Sequence, residues 1–241
     1  MTSLVSMDVR DGVAWIALDR AGKRNAINDA LLNDLEARVA EAQSAARAMV
    51  IHGNGPCFSA GLDLGEHRAR EPAEVFWHSR GWHRVFRAIR TGRVPAVAAI
   101  HGACVGGGLE LAAACHIRVA DETAFFALPE GTRGIFVGGG ASVHVSRPLD
   151  AAAAERAGLI TYLMPPGDHV IKAGEIAAKV AAMAPLTVLG VLGALPRIAG
   201  MAEEDGLFVE SMMAALAQTG PEAAARLAAF VEKRAPKAGE N

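Results

Sequence analysis

The chain has 241 residues, 51% of them hydrophobic and 21% charged, with a formal net charge of −2. That length and balance fit one large globular domain, or one domain with an appendage. Near-neutral charge without any long block of one sign offers no bulk attraction for nucleic acid, and no apolar run is long enough to span a bilayer.

The N-terminus meets Asp8, Arg10 and Asp11 early, so it lacks the basic start and apolar core of a secretory signal. The first strand expected is VAWIAL (13–18), an apolar run. Asn28 is placed to cap a helix through DALLNDLEARVAEA, with Leu31, Leu32, Leu35 and Val39 on one face. AMVIHG (48–53) reads as a second strand, ended by the turn residues GNGPC. A helix through VFWHSRGWHRVFRAI follows, on helical spacing of its apolar residues. Pro95 precedes a third strand, AVAAI, and HGACVGG turns from it into a helix at GLELAAAC. IRVAD and AFFAL are strands again. Alternating strands and helices predict an α/β core. LDAAAAERAGL (149–159) predicts a helix capped by Asp150, and GGGASVHVS another before it. From about Pro185 the pattern is helix upon helix, which divides the chain into a core, 1–184, and a helical region, 185–241.

The three cysteines, Cys57, Cys104 and Cys115, are odd in number and form no CxxC pair. They fit a reducing cytoplasm better than a disulfide framework or a zinc site. The glycine-rich turn at Gly106–Gly108 lacks the third glycine of a dinucleotide fingerprint, because Leu111 stands there, and lacks the Lys–Ser/Thr of a P-loop. CFSAG around Ser59 lacks the first glycine of a nucleophile elbow, where Cys57 stands.

What remains is glycine-rich backbone and two glutamates. Free N–H groups at the start of a helix point outward at the positive end of its dipole, and such a turn can bind developing negative charge on an oxygen. Gly107 is one candidate donor; the loop FSAGLD, near Gly61–Leu62, is another. Either turn alone could be a plain tight turn. Glu110 lies three residues after Gly107, about one helical turn, among Leu109, Leu111 and a run of alanines. Burying a carboxylate there is costly unless it is paired or neutralised. Glu130, in LPEGTRG, follows the strand AFFAL. Two carboxylates beside such a turn can divide general-acid and general-base work.

These residues, in this order, resemble the crotonase superfamily and its enoyl-CoA hydratases. The likeness runs through RAGKRNAIN (20–28), CFSAGLDL (57–64), VPAVAAIHGACVGGGLELAAAC (94–115) and FALPEGTRGIFVGGG (126–140) to FVEKRAP (230–236). The resemblance implies a spiral of ββα units with a C-terminal helical region that trimerises, trimers pairing into hexamers. It implies an acyl-CoA thioester substrate, so that CoA arrives with the substrate and no separate cofactor or metal is needed. Matched residue by residue, the oxyanion donors are the N–H groups of Leu62 and Gly107, and the two hydratase glutamates are Glu110 and Glu130. CoA would follow Arg24, Ala26, Ala60, Asp63 and Leu64, with Phe230 and Lys233 at its nucleotide end.

HSRGWHRVFRAI with ALPEGTRGIFVGGG is similar to the branch containing methylthioacryloyl-CoA hydratases; that likeness implies short acyl groups, with thioester hydrolysis as an additional reaction. Trp77, Trp82, Phe86 and Phe136 are candidates for narrowing the acyl pocket. Val137 stands where many hydratases have proline, and His116 where an acidic residue is common. The connection at Ser146–Leu149 is shorter than the helix and turn usual in the family, which bears on the pocket wall and on subunit contacts. The expected activity is hydration of a short or small-branched 2-enoyl-CoA. Isomerisation or thioester hydrolysis on the same scaffold is the enzymatic alternative, and a silent acyl-CoA-binding protein the non-enzymatic one.

Overall fold

The computed structural model describes residues 3–65, 71–130, 138–139 and 149–232. The chain divides into two compact units, Met1–Ala181 and Ala182–Asn241.

The first unit is built on a six-stranded sheet. Its strands are β1 (Val5–Arg10), β2 (Val13–Leu18), β3 (Ala48–Gly53), β4 (Ala96–Ile100), β6 (Ile117–Asp121) and β9 (Tyr162–Met164), adjacent in that order. β1 runs antiparallel to β2, and every other neighbouring pair is parallel. Parallel strands covered on both faces read as continuous apolar runs. β4, AVAAI, is buried at every position.

The two faces of the sheet alternate with the pleat. On one, Ile16, Leu18, Met49, Ile51, Ala96, Ala98 and Ile100 pack with residues from three helices: α1 (Asp29–Ala45), α2 (Pro72–Arg90) and α3 (Gly107–Ala114). On the other, Val13, Ala48, Val50, Val97, Ala99 and Val119 meet Ala173, Ala177 and Ala181 of α5 (His169–Ala181). α1 forms where its apolar spacing predicts, and Asn28 caps it by accepting the Leu31 N–H at 2.9 Å. Leu31, Leu32, Leu35, Val39 and Ala42 are its buried face.

A second, three-stranded sheet is made by β5 (Ala103–Val105), β7 (Phe125–Ala127) and β8 (Leu149–Asp150). α4 (Ala151–Arg156) follows, and Asp150 caps it through Ala153 N–H at 2.6 Å. The helix expected at GGGASVHVS lies outside the described residues, apart from Gly138 and Gly139.

The second unit contains α6 (Pro185–Leu189), a π-turn (Gly190–Ala194), α7 (Leu195–Ile198), α8 (Glu203–Gln218) and α9 (Pro221–Val231). Pro196 lies in α7, just past the π-turn, where a missing N–H and a bulky ring disfavour a regular α-turn. Leu207, Phe208, Met212 and Leu216 of α8 are all exposed.

Candidate active site

The loops that leave the C-terminal ends of β3 and β4 meet each other. Ser59 pairs with Cys104 in a parallel bridge: its N–H donates to Ala103 O at 2.9 Å, and its carbonyl accepts the Val105 N–H at 3.1 Å. Three residues on, Leu62 bridges to Ile27. Ile27 N–H donates to Gly61 O at 2.7 Å, and Asp63 N–H donates to Ile27 O at 2.9 Å. Successive N–H groups of an extended segment face opposite ways. Leu62 N–H therefore points away from Ile27.

Gly61 is where the two loops touch. Its φ is +86°, and a Cβ there would lie 2.5 Å from Val105 O and 3.2 Å from Gly107 N. Only glycine tolerates both the left-handed backbone and the close approach. Gly107 is the first residue of α3, so its N–H has no acceptor within the helix. The structure thus brings the Leu62 and Gly107 segments together.

The two glutamates flank the same turn. Gly106, the residue before α3, has φ +51°, and a Cβ on it would come within 2.5 Å of Glu130 Oε1. Glu110 lies one turn further along α3, only 5% exposed. Its Oε1 accepts the Gly139 N–H at 2.7 Å. Trp82 covers the turn: a Cβ on Gly107 would meet its ring at 2.5 Å. Phe86 stands edge-on to Trp82, with centroids 5.6 Å apart. A groove of about 660 Å³ runs between α2 and α3, bounded by Glu110, Gly139, Phe86, Ala113 and the exposed Trp77.

Arg24, Ala26, Ala60, Asp63 and Leu64 lie on two adjoining loops beside Leu62. Arg24 is exposed, has φ +54°, and accepts the Ala60 N–H on its carbonyl at 3.0 Å. Arg20 Nη1 reaches Ala26 O at 2.9 Å and Asp63 Oδ2 at 2.5 Å. Asp63 is buried, and Gly65 N–H donates to its Oδ1 at 2.9 Å. The Arg20 hydrogen bond holds this carboxyl below the usual carboxylate range. Its carboxylate therefore braces the loop. Leu64 is exposed. Phe230 lies in α9, but its side chain falls outside the described residues, as do Lys233, Phe136 and Val137.

Several contributors were not read from the sequence. Asn25 is buried with φ +52°; its Nδ2 donates to Asn54 O and Cys57 O, both at 2.9 Å, and its Oδ1 accepts the Arg20 N–H. Ser59 Oγ donates to Asn25 O at 2.8 Å and accepts from Gly61 N–H at 3.2 Å. Asn25 and Ser59 thus tie the loop of Gly61 to that of Arg24. Their signal was only a pair of small polar residues within loops. His116 accepts the Ala96 N–H at Nδ1 and reaches Arg90 O with Nε2, joining the end of α2 to the start of β4. Burial pushes its pKa down, so the neutral ring fits this place.

A separate group gathers at the ends of β3, β4 and β6. His169 Nδ1 lies 2.9 Å from Asp121 Oδ2, and the His101 ring stacks on that of His169 at 4.8 Å. Burial pushes Asp121 up, but hydrogen bonds from Thr123 and Gly167 outweigh it and leave the carboxyl below its usual range. Burial, with His101 and His52 nearby, keeps His169 below an ordinary histidine despite Asp121. Among the described residues, no group of three or more His, Cys, Asp or Glu side chains is arranged to hold a metal ion.

The family model described as "Enoyl-CoA hydratase/isomerase" matches residues 8–241. The chain belongs to the enoyl-CoA hydratase/isomerase family. It shares 31% identity with the 2,3-dehydroadipyl-CoA hydratase of Escherichia coli K12, over 93% of this chain and 94% of that one. A crystallised protein of Rhodopseudomonas palustris CGA009, provisionally assigned as an enoyl-CoA hydratase, is 45% identical and covers 96% of each chain, with a TM-score of 0.91. The enoyl-CoA hydratase of Bacillus anthracis is 27% identical with a TM-score of 0.89, over 99% of this chain and 100% of that one. The fold is that of the crotonases, and the chain is an enzyme of this family.

Proposed function

We propose that this enoyl-CoA hydratase/isomerase family member adds water across the C2=C3 bond of a short or small-branched 2-enoyl-CoA. The observation that carries the reading is the convergence of Glu110 and Glu130 on the one turn that offers the Gly107 N–H. The thioester oxygen lies between the N–H groups of Leu62 and Gly107. These donors draw electron density from C3 and hold the enolate charge that develops as water adds. Glu110 takes a proton from the water that attacks C3. Glu130 gives a proton to C2, so each carboxyl exchanges one proton per turnover.

CoA follows the loops of Arg24, Ala26, Ala60, Asp63 and Leu64, with Phe230 and Lys233 toward its nucleotide end. Trp82 and Phe86, crowded against Gly107 and Gly139, favour a small acyl group near the reacting carbons. Each step is assigned to groups of the chain itself, and CoA comes as part of the substrate. The exposed apolar face of α8 supports assembly of the helical region, 185–241, into a homotrimer or a hexamer. Light scattering that reports a monomer at micromolar concentration would refute that assembly. Three buried, unbridged cysteines support a reducing cytoplasm.

Purified protein mixed with crotonyl-CoA tests the reaction. Loss of the conjugated-thioester absorbance without release of free CoA is expected. Release of a free thiol would instead show thioester hydrolysis, and tight binding with no absorbance change would show a silent acyl-CoA-binding protein.

A further inference from the structure

The wall of the groove beside Glu110 is unusual for a channel that takes a hydrocarbon tail. Arg80, His83, Arg84, Arg87 and Arg90 line it, all on one side of α2. The arginines recur at four- and three-residue intervals, so one helix face carries them over roughly 15 Å. The four arginines are exposed. Arg84 is neutralised: its guanidinium grips both oxygens of Glu36, at 2.6 and 3.0 Å. Among the described residues, the side-chain partner of Arg80 is the His83 ring, at 3.4 Å. Arg87 and Arg90 have no carboxylate partner among the described residues. The acidic side chain lining the groove, among those described, is Glu110.

We infer that this groove receives an acyl group whose far end carries a carboxylate, held by Arg87 and Arg90. The inference rests on the hydratase reading, because it takes Glu110 as the group facing C3.

The order of atoms along the substrate sets which end of it enters the groove. CoA lies on one side of the thioester and the acyl tail on the other. With Glu110 facing C3, a groove that has Glu110 in its wall can take the acyl chain from C3 toward C4 and beyond. A hydrocarbon tail laid along it would strip water from guanidinium groups and return no counter-charge, which is unfavourable. A terminal carboxylate instead meets planar donors that can bind both its oxygens. It also needs them, since Glu110 in the wall of the groove would otherwise repel a second anion.

The test compares two six-carbon thioesters that differ only at the far end, 2-hexenoyl-CoA and 2-hexenedioyl-CoA. The purified full chain is assayed by loss of enoyl absorbance. Two or three charge-assisted hydrogen bonds predict a kcat/KM at least about tenfold higher for the dicarboxylic thioester. In the Arg87→Gln/Arg90→Gln variant that ratio should collapse toward one, through a raised KM for the dicarboxylic thioester, with the fold verified by circular dichroism. The Arg87→Lys/Arg90→Lys variant should retain part of the preference. Hydration of 2-hexenoyl-CoA as fast as, or faster than, 2-hexenedioyl-CoA would overturn this inference and leave the hydratase reading standing. A tenfold preference that survives in the glutamine variant would overturn the assignment to these arginines. Hydration of neither thioester, nor of crotonyl-CoA, would refute the hydratase reading and this inference with it.

Discussion

Leu62→Pro removes one N–H, and of the loop's hydrogen bonds to Ile27 it removes none; it also trims a half-buried side chain. Proline lacks the backbone donor, fixes φ near −65° and restricts the residue before it, here Gly61, which is why folding is checked and alanine is the control. The neighbouring ladder bonds are made by Gly61 O and Asp63 N–H with Ile27, so Leu62 N–H supports none of them. If that N–H is an oxyanion donor, its loss raises the barrier by about 2.7–4 kcal/mol, a fall in kcat of roughly 10²–10³-fold. Leu62 is itself half-buried, so Leu62→Ala is the control: it trims the side chain and keeps the N–H. The assay is initial-rate hydration of crotonyl-CoA over a range of concentrations, with thermal melts of both variants to confirm folding. The proline variant should lose kcat with a modest change in KM, and the alanine variant should stay within a few-fold of the parent. Equal damage from alanine and proline would refute the reasoning, because the side chain would then matter and not the N–H. A folded proline variant with normal kcat would refute it as well.

Gly106→Ala forces a Cβ within 2.5 Å of Glu130 Oε1 at a backbone φ of +51°, so hydration should fall sharply while Glu130 itself is retained; unchanged kcat would show that Glu130 need not sit there. Arg20→Ala leaves the buried Asp63 carboxylate without its guanidinium partner, and chemical denaturation should show a loss of about 3–5 kcal/mol, as for other broken buried pairs. Acid should also weaken the fold. His52, His116 and His169 all have pKa values below the ordinary 6.5, held down first by burial, so folding favours their neutral forms. Their contribution is fully present above the unfolded value of about 6.5 and is lost as pH falls through the lower folded values. Asp63 and Asp121, held below the usual carboxylate range, add a further loss at lower pH. Thermal melts from pH 8 to pH 5 should show stability falling below about pH 6.5; a flat profile across that window would contradict the histidine account.

The central strands were legible because burial on both faces makes them mostly apolar, with His52, Arg118 and Asp121 as the polar exceptions near their ends. VAWIAL, AMVIHG, AVAAI and IRVAD coincide with β2, β3, β4 and β6. β1 was not read, since VSMDVR is an edge strand with mostly exposed residues that forms by pairing with β2. β5, β8 and β9 are two or three residues long and exist only through their partners. α5 meets the sheet through a stripe of alanines, which carries little hydrophobic signal.

The site divides in the same way. Glycines and glutamates at fixed local spacing could be seen in GGGLE because one helical turn relates them. The Gly139 N–H on Glu110 and the Arg20–Asp63 pair could not, because they join residues 29 and 43 positions apart whose meeting depends on the whole fold. The arginine face of α2 is visible as a sequence pattern. Its proximity to Glu110 is not, because that follows from how α2 packs beside α3.

The central claim is that Glu110 and Glu130 perform the proton transfers of hydration at the turn that holds the thioester oxygen. The most direct test is to measure kcat for crotonyl-CoA hydration in Glu110→Gln and Glu130→Gln, together with the affinity of each variant for the same thioester. Each variant should lose roughly 10²–10⁴-fold in kcat while binding crotonyl-CoA about as well as the parent. Turnover near the parent rate in either variant would remove that glutamate from the reaction and contradict the account.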